Sequence, residues 1–357
     1  MKHWTVEQAD QWYQAHPWLV GCNFIPSTAI NQLEMWQAET YDPATIDREL
    51  GWAEGLGFNT LRVFLHDLVW HQDSMGFSRR LEHFLSLAAR HGMKVMFVLF
   101  DDCHRPDPVL GLQPLPVPGV HNSGWKQSPG RNLVLQFHDG TVAENEKTRL
   151  RDYVTGVLSR FASDERILLW DLYNEPGQSG NDEKSLELLT AAWQWAREVR
   201  VTQPLTACLD GACGKRVIEL NGAQSDVITF HNYSPAGGLE QVVLELRQRF
   251  PGRPILCTEY MARESGSTFQ QCLPVFRKYN IGCYNWGLVM GKTGTHWNWK
   301  TVGDLEALQA KGSALQPGDP IPEPELWFHD IFRMDGKPYD PAETAFIRDI
   351  TRRQSPL

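Results

Sequence analysis

Apolar residues follow two alternating rhythms along this chain. Short runs rich in β-branched and aromatic residues have the length of strands. Between them lie longer stretches whose apolar positions recur every three to four residues, the spacing of an amphipathic helix. The runs at 18–24, 60–65, 94–100, 167–172, 205–209, 227–230, 254–258 and 282–288 read as eight strands. Asp42-Pro43 supplies an N-cap and a first helical position for a helix ending at Gly55 or Gly57. Further helices are predicted over 78–92, 144–161, 184–201, 215–220, 239–250 and 268–279. Two connections break the rhythm: 101–140 and 290–324 are Pro- and Gly-bearing loops, too long to serve only as connections. Residues 327–332 read as a closing helical region.

Eight strands alternating with helices predict an α/β fold, a parallel sheet closed into a (β/α)8 TIM barrel with long loops after strands three and eight. One domain over 1–357 is expected. A doubly wound sheet would want Gly-x-Gly-x-x-Gly after the first strand, and the sequence has none there.

Composition narrows the function. With 34 Lys+Arg against 43 Asp+Glu the formal charge is −9, which argues against a nucleic-acid partner. No apolar run is long enough to cross a bilayer, so no membrane partner is expected. Acidic residues interrupt the N-terminus before an export signal's apolar stretch forms, which points to the cytoplasm. The seven cysteines include no Cys-x-x-Cys, and Cys22, Cys103, Cys208, Cys257 and Cys283 in or beside apolar runs read as small buried thiols. Fourteen tryptophans exceed what a core alone needs and suit a cleft that receives flat, partly apolar rings such as sugars. A homo-oligomer is compatible with the sequence.

Barrels of this kind carry their chemistry at the C-terminal ends of strands. Asn174-Glu175-Pro176 follows strand four, and Glu259-Tyr260 follows strand seven. Two acids facing one cleft are the minimum equipment for retaining glycoside hydrolysis, in which one carboxylate attacks and the other protonates the leaving oxygen. Either could instead be an ordinary helix first-turn charge. Arg62 sits inside an apolar strand, either as a structural ion pair or as the cation that keeps a catalytic carboxylate ionised. His231 and Tyr233 follow strand six, where the tyrosine could donate to the nucleophile and the histidine orient the acid or a sugar hydroxyl; a packed core histidine is the alternative. Trp286 ends strand eight, as a core aromatic or as the floor of a sugar site. Asn174 could bond a sugar 2-hydroxyl.

The ordered set Arg62, Asn174-Glu175-Pro176, His231-Asn232-Tyr233, Glu259 and Trp286 resembles the family 5 glycoside hydrolases, retaining (β/α)8 enzymes, over strands two to eight. The resemblance implies that Glu175 is the acid/base and Glu259 the nucleophile, supported by Arg62, Asn174, His231 and Tyr233 over a Trp286 floor. Many members place a histidine at the end of strand three; here the sequence reads Asp101-Asp102-Cys103-His104, leaving Asp102 or His104 to reach a sugar hydroxyl. The stretch 21–36, Gly-Cys-Asn-Phe-Ile-Pro-Ser-Thr-Ala-Ile-Asn-Gln-Leu-Glu-Met-Trp, is similar to an intracellular bacterial branch that contains exo-β-mannosidases acting on Man-β-1,4-GlcNAc units of N-glycan cores. The expected ligand is therefore a short oligosaccharide. Trp125 in the first long loop, and His296, Trp297 and Trp299 in the second, would wall the cleft into a pocket.

Three other readings compete with this one. A metal-dependent hydrolase would want His-x-His or His-Glu-x-x-His; neither is present, so no metal and no cofactor are expected. A non-catalytic carbohydrate-binding barrel leaves Glu175, Glu259 and Arg62 without a purpose. An endo-glucanase or endo-mannanase keeps the chemistry and opens the pocket into a groove.

Overall fold

The computed structural model describes residues 2–352; Met1 and residues 353–357, included in the single domain expected from the sequence, lie outside the described residues. Among the described residues there are eight strands: β1 (Val20–Asn23), β2 (Thr60–Phe64), β3 (Lys94–Asp101), β4 (Ile167–Asn174), β5 (Leu205–Thr206), β6 (Ile228–His231), β7 (Ile255–Tyr260) and β8 (Gly282–Trp286). They form one parallel sheet in the order β5-β4-β3-β2-β1-β8-β7-β6. The strands are buried on both faces, which is why they read as continuous apolar runs instead of alternating ones.

The remaining seam, β5 to β6, is held by other bonds. The Asp226 N–H donates to the Leu205 carbonyl at 2.8 Å, and the Leu209 N–H to the Thr229 carbonyl at 2.9 Å. The Thr206 hydroxyl donates to the Val227 carbonyl at 2.7 Å and lies 2.9 Å from the Thr229 hydroxyl. The sheet is thus a nearly closed (β/α)8 barrel.

A helix missed by the hydrophobic pattern, Val6–Gln14, closes the N-terminal end of the barrel. Its start was legible: Thr5 and Gln8 form a reciprocal capping box. Its Tyr13 packs with Leu19, Met96, Leu169, Val227, Leu256 and Tyr284, and donates its hydroxyl to the Asn280 carbonyl at 3.0 Å.

Three other expectations need correction. The helix predicted from 78 runs over Asp67–Arg90, because its first part is broken from the second at Asp73, where φ is −155°. There the Asp73 carboxylate accepts the Gly76 N–H at 2.8 Å and caps the second part, the part that carried the periodic signal. Residues 327–332 are not helical: the Ile331 and Phe332 N–H groups both donate to the Leu288 carbonyl, and the closing helix is Pro341–Arg352. The two long loops contain short helices, Arg131–His138 in the first and Leu305–Ala310 in the second. Among the described residues no helix is long and apolar enough to cross a membrane.

If Thr206 is the bolt of the open seam, Thr206→Val should lower the unfolding free energy by about 1–2 kcal/mol in urea titration, with the denaturant slope unchanged.

Candidate active site

A charge inside a barrel must be met on every side. Arg62, with no exposed surface, projects from β2 and spends its guanidinium on four neighbours from three strands. Its Nε and Nη2 donate to Asp171 Oδ2 at 3.1 and 2.8 Å. Nη1 donates to Asn23 Oδ1 and to Glu259 Oε1, both at 2.9 Å, and Nη2 donates to Asn174 Oδ1 at 2.7 Å. Burial works against the cation, but the Asp171 and Glu259 carboxylates outweigh it and hold its pKa above the ordinary value. Asp171 was not singled out from the sequence, although it offers the same signal as Arg62, a charge within an apolar strand.

Glu259 lies on β7, one residue short of the strand's end, and both its oxygens have donors: Arg62 on Oε1 and the Tyr233 hydroxyl on Oε2 at 2.8 Å. Glu175 immediately follows β4 in a left-handed conformation (φ 40°). Its Oε1 meets His231 Nδ1 at 2.7 Å, and its Oε2 accepts from the Cys103 thiol at 3.3 Å. The turn that aims it needs glycine: a Cβ on Gly211 would lie 2.3 Å from the Pro176 carbonyl oxygen. His231 Nδ1 is also 3.5 Å from Glu259 Oε2, so the histidine bridges the two acids. Burial raises the pKa of both glutamates. Only Glu259 has the guanidinium in direct contact, which makes it the acid of the pair that stays ionised.

Glu175, Glu259, Asn174 and Tyr233 line a cavity of about 290 Å³, with Arg62 and His231 behind them. Trp286 lines it, packed edge-on against Phe64 and Trp125 at 5.7 Å between ring centroids. Trp125 also lines it, and its indole N–H donates to Asp101 Oδ2 at 2.7 Å. Of the two residues expected to replace the strand-three histidine, His104 reaches the cavity and Asp102 does not. Asp102 is fully buried and accepts from the Tyr173 hydroxyl at 2.8 Å, from the Gly177 N–H at 2.6 Å and from the Ser185 hydroxyl. Burial lifts its pKa to about 6, and its task is to brace the turn after Glu175. Trp297 likewise does not line the cavity: its ring packs on His296, and Trp299 takes the place at the wall, edge-on to Tyr233 at 4.9 Å. Cys103 departs from the buried-thiol expectation, being partly exposed in the cavity wall.

His121, Asn122 and His329 also line the cavity and were not foreseen from the sequence. His121 Nδ1 is 2.8 Å from the Trp297 carbonyl, so that nitrogen carries the proton; Asn122 Nδ2 can then donate to the Nε2 atoms of His121 and His104 at 3.2 and 3.0 Å. Burial lowers the pKa of His104 to about 3 and of His121 to about 4. This wall is polar but uncharged. The only early signal was the length of the two loops that bring it together.

One oxygen of Glu175, one of Glu259 and a ring nitrogen of His231 all lie within 4.8 Å of one another. Such a group could hold a metal ion, but Glu259 already receives a cation and a hydroxyl, and Glu175 a histidine and a thiol. The chemistry this arrangement favours is two acids acting on one bond.

No protein-family model matches the chain, and no curated protein does. Solved structures do. An exo-β-1,4-mannosidase, Op5Man5 from Opitutaceae bacterium strain TAV5, superposes with a TM-score of 0.60 at 18% identity, over 94% of this chain and 59% of that one. The endo-β-1,4-mannanase from Thermotoga petrophila gives 0.59 at 13% identity, over 94% of this chain and 76% of that one. A variant of GH5_18 from Streptomyces cattleya in complex with Manβ1-4GlcNAc gives 0.60 at 12% identity, over 96% of this chain and 82% of that one. These likenesses fix the fold. At such identities they leave the activity to be argued from the site.

Two outcomes follow from the electrostatics. Arg62→Met should destabilise the protein by about 3–5 kcal/mol in chemical denaturation, because it strands two buried carboxylates, and adding Asp171→Asn should recover part of the loss. His104 and His121 remain neutral in the folded protein down to about 3 and 4, whereas the unfolded chain protonates them near 6.5. Each contributes stability that is lost as pH falls from about 6.5 toward 4, at roughly 1.4 kcal/mol per pH unit. His121→Gln should flatten that slope by one group in urea titrations across this range.

Proposed function

We propose that this chain is a family 5 glycoside hydrolase, a retaining β-glycosidase that releases terminal β-mannosyl residues from short substrates of the Man-β-1,4-GlcNAc type. The observation that carries the chemistry is the short gap between the Glu175 and Glu259 oxygens, within 4.8 Å. Retaining enzymes hold their carboxyl groups about 5–5.5 Å apart, whereas inverting enzymes need roughly 6.5–9.5 Å to admit a water.

Glu259, ionised by Arg62 and steadied by Tyr233, attacks the anomeric carbon. Glu175, protonated in the free enzyme, gives its proton to the leaving oxygen. Once the glycosyl-enzyme has formed, the Glu259 charge is consumed, the pKa of Glu175 falls, and the same carboxylate takes a proton from water. The two acids titrate as a coupled pair and give a bell-shaped pH profile.

The exo assignment is supported by the seam between the loops after β3 and β8. The His121 N–H donates to the Thr301 hydroxyl at 2.9 Å, Arg105 Nη2 to the Val302 carbonyl at 3.0 Å, and the Leu315 N–H to the Pro116 carbonyl at 2.8 Å. The residues similar to the exo-mannosidase branch buttress it: Asn31 Nδ2 bonds Gln113 and the Gly124 carbonyl at 2.9 and 2.8 Å, and Gln32 Nε2 the Lys126 carbonyl at 3.0 Å. Loops joined in this way favour a pocket for a chain end over a groove for a polymer.

The test is a panel of aryl β-glycosides and Man-β-1,4-GlcNAc, with mannan as the polymer. Wild type should turn over the mannosides with retained anomeric configuration by proton NMR. Glu259→Ala should be inactive. Glu175→Ala should lose about 10²–10⁴-fold on poor leaving groups and far less on dinitrophenyl mannoside. Cleavage of mannan in preference to the short substrates would replace exo action by endo action; inverted products would remove the retaining reading.

A further inference from the structure

Glu175 has a neighbour that the two-acid scheme does not use. Cys103 is the one cysteine among the described residues that keeps part of its surface exposed, and its sulfur stands 3.3 Å from Glu175 Oε2 in the cavity wall. The direction of that contact is set from behind. Arg62 Nη2 donates to Asn174 Oδ1 at 2.7 Å, so the Asn174 amide must turn its Nδ2 the other way. That Nδ2 donates to Asp101 Oδ1 at 2.9 Å and approaches the Cys103 sulfur at 3.5 Å. The sulfur therefore accepts from Asn174 and directs its own hydrogen at Glu175. The Cys103 N–H, bonded to Asp101 Oδ1 at 2.9 Å, fixes the backbone beneath it. The other carboxyl oxygen, Oε1, meets His231 Nδ1 at 2.7 Å. Asp210, Glu259 and the Arg62 guanidinium are further charges near the acid, and all of these stay the same when Cys103 is changed. The Glu175 N–H donates to the Cys208 sulfur at 3.2 Å.

We propose that Cys103 is a positioning residue for Glu175: its thiol is the donor that holds Oε2 and sets how readily the acid gives up its proton. The inference deepens the glycosidase reading and rests on it for the role of Glu175. A donor aimed at a carboxyl oxygen favours the ionised form. A thiol is a weak donor, so it stabilises that form less than a hydroxyl in the same place and more than no donor at all. Glu175 must be protonated for the first displacement and ionised for the second. The sulfur holds it between the two, while keeping the carboxyl turned toward the bond to be broken. Burial among Asp101, Glu175 and Glu259 keeps the thiol protonated, as a donor has to be.

The substitutions Cys103→Ser and Cys103→Ala separate this role from simple packing, because they act on Glu175 in opposite senses. The serine hydroxyl should lower the alkaline limb of kcat/KM on aryl mannosides by about half to one pH unit, and the alanine should raise it by a similar amount. A carbon-13 titration of the Glu175 carboxyl should show the same opposed shifts without any turnover. Opposed shifts in that titration establish the contact. Shifts that coincide with wild type, or that move together, overturn the proposal. If the titration shifts diverge but the kinetic limb does not follow, Cys103 positions Glu175 and it is the acid assignment of Glu175 that fails.

Discussion

A guanidinium without access to water stays inside a protein only if its neighbours supply both counter-charge and acceptors in the right directions. Arg62 imposes that condition on β1, β4 and β7 together. Asn23, Asp171, Asn174 and Glu259 point at one centre because the cation is there, and their strands must keep register for the bonds to close. The geometry of the proposed catalytic pair comes from the same demand. Glu259 is ionised because Arg62 needs an anion, and Asn174 is oriented because Arg62 needs an acceptor. The orientation of Asn174 then decides what Cys103 can do.

Around this rigid centre the barrel supports residues that regular structure alone would not provide. Glu175, His104 and Asn122, all in the cavity wall, have left-handed backbones at φ 40°, 68° and 48°. Such conformations cost free energy in non-glycine residues and persist where surrounding bonds over-determine them. Asp102 does this for the turn after Glu175, and Asn122 is held between two imidazoles. Burial keeps those imidazoles uncharged, so this part of the wall offers hydrogen bonds without competing for the glutamates' charge.

The barrel was legible in the sequence because parallel strands covered on both faces leave unbroken apolar runs, and all eight are found within a few residues of where the pattern puts them. Arg62, Asn174, Glu175, His231, Tyr233, Glu259 and Trp286 were legible because strand ends in such a fold converge, and here they do. Strand ends cannot report what loops bring in. The Trp297 and Trp299 side chains are indistinguishable by pattern, and only the turn at Trp299–Asp304 decides which faces the cavity. Asp102 and His104 differ for the same reason, since one reversal of φ at His104 separates an inward residue from a buried one. Asp171 was within reach: a second charge in an apolar strand is the natural partner of the first.

The seam between the two long loops has a property that its sequence hides. Apart from the Thr301 hydroxyl, the acceptors in it, at Trp297, Val302 and Pro116, are main-chain carbonyls. These three bonds therefore do not depend on which side chains stand at Trp297, Val302 and Pro116, whereas two of them do depend on the side chains of Arg105 and His121, which reach across. A lineage with this scaffold could exchange side chains around the cavity mouth at little risk to closure.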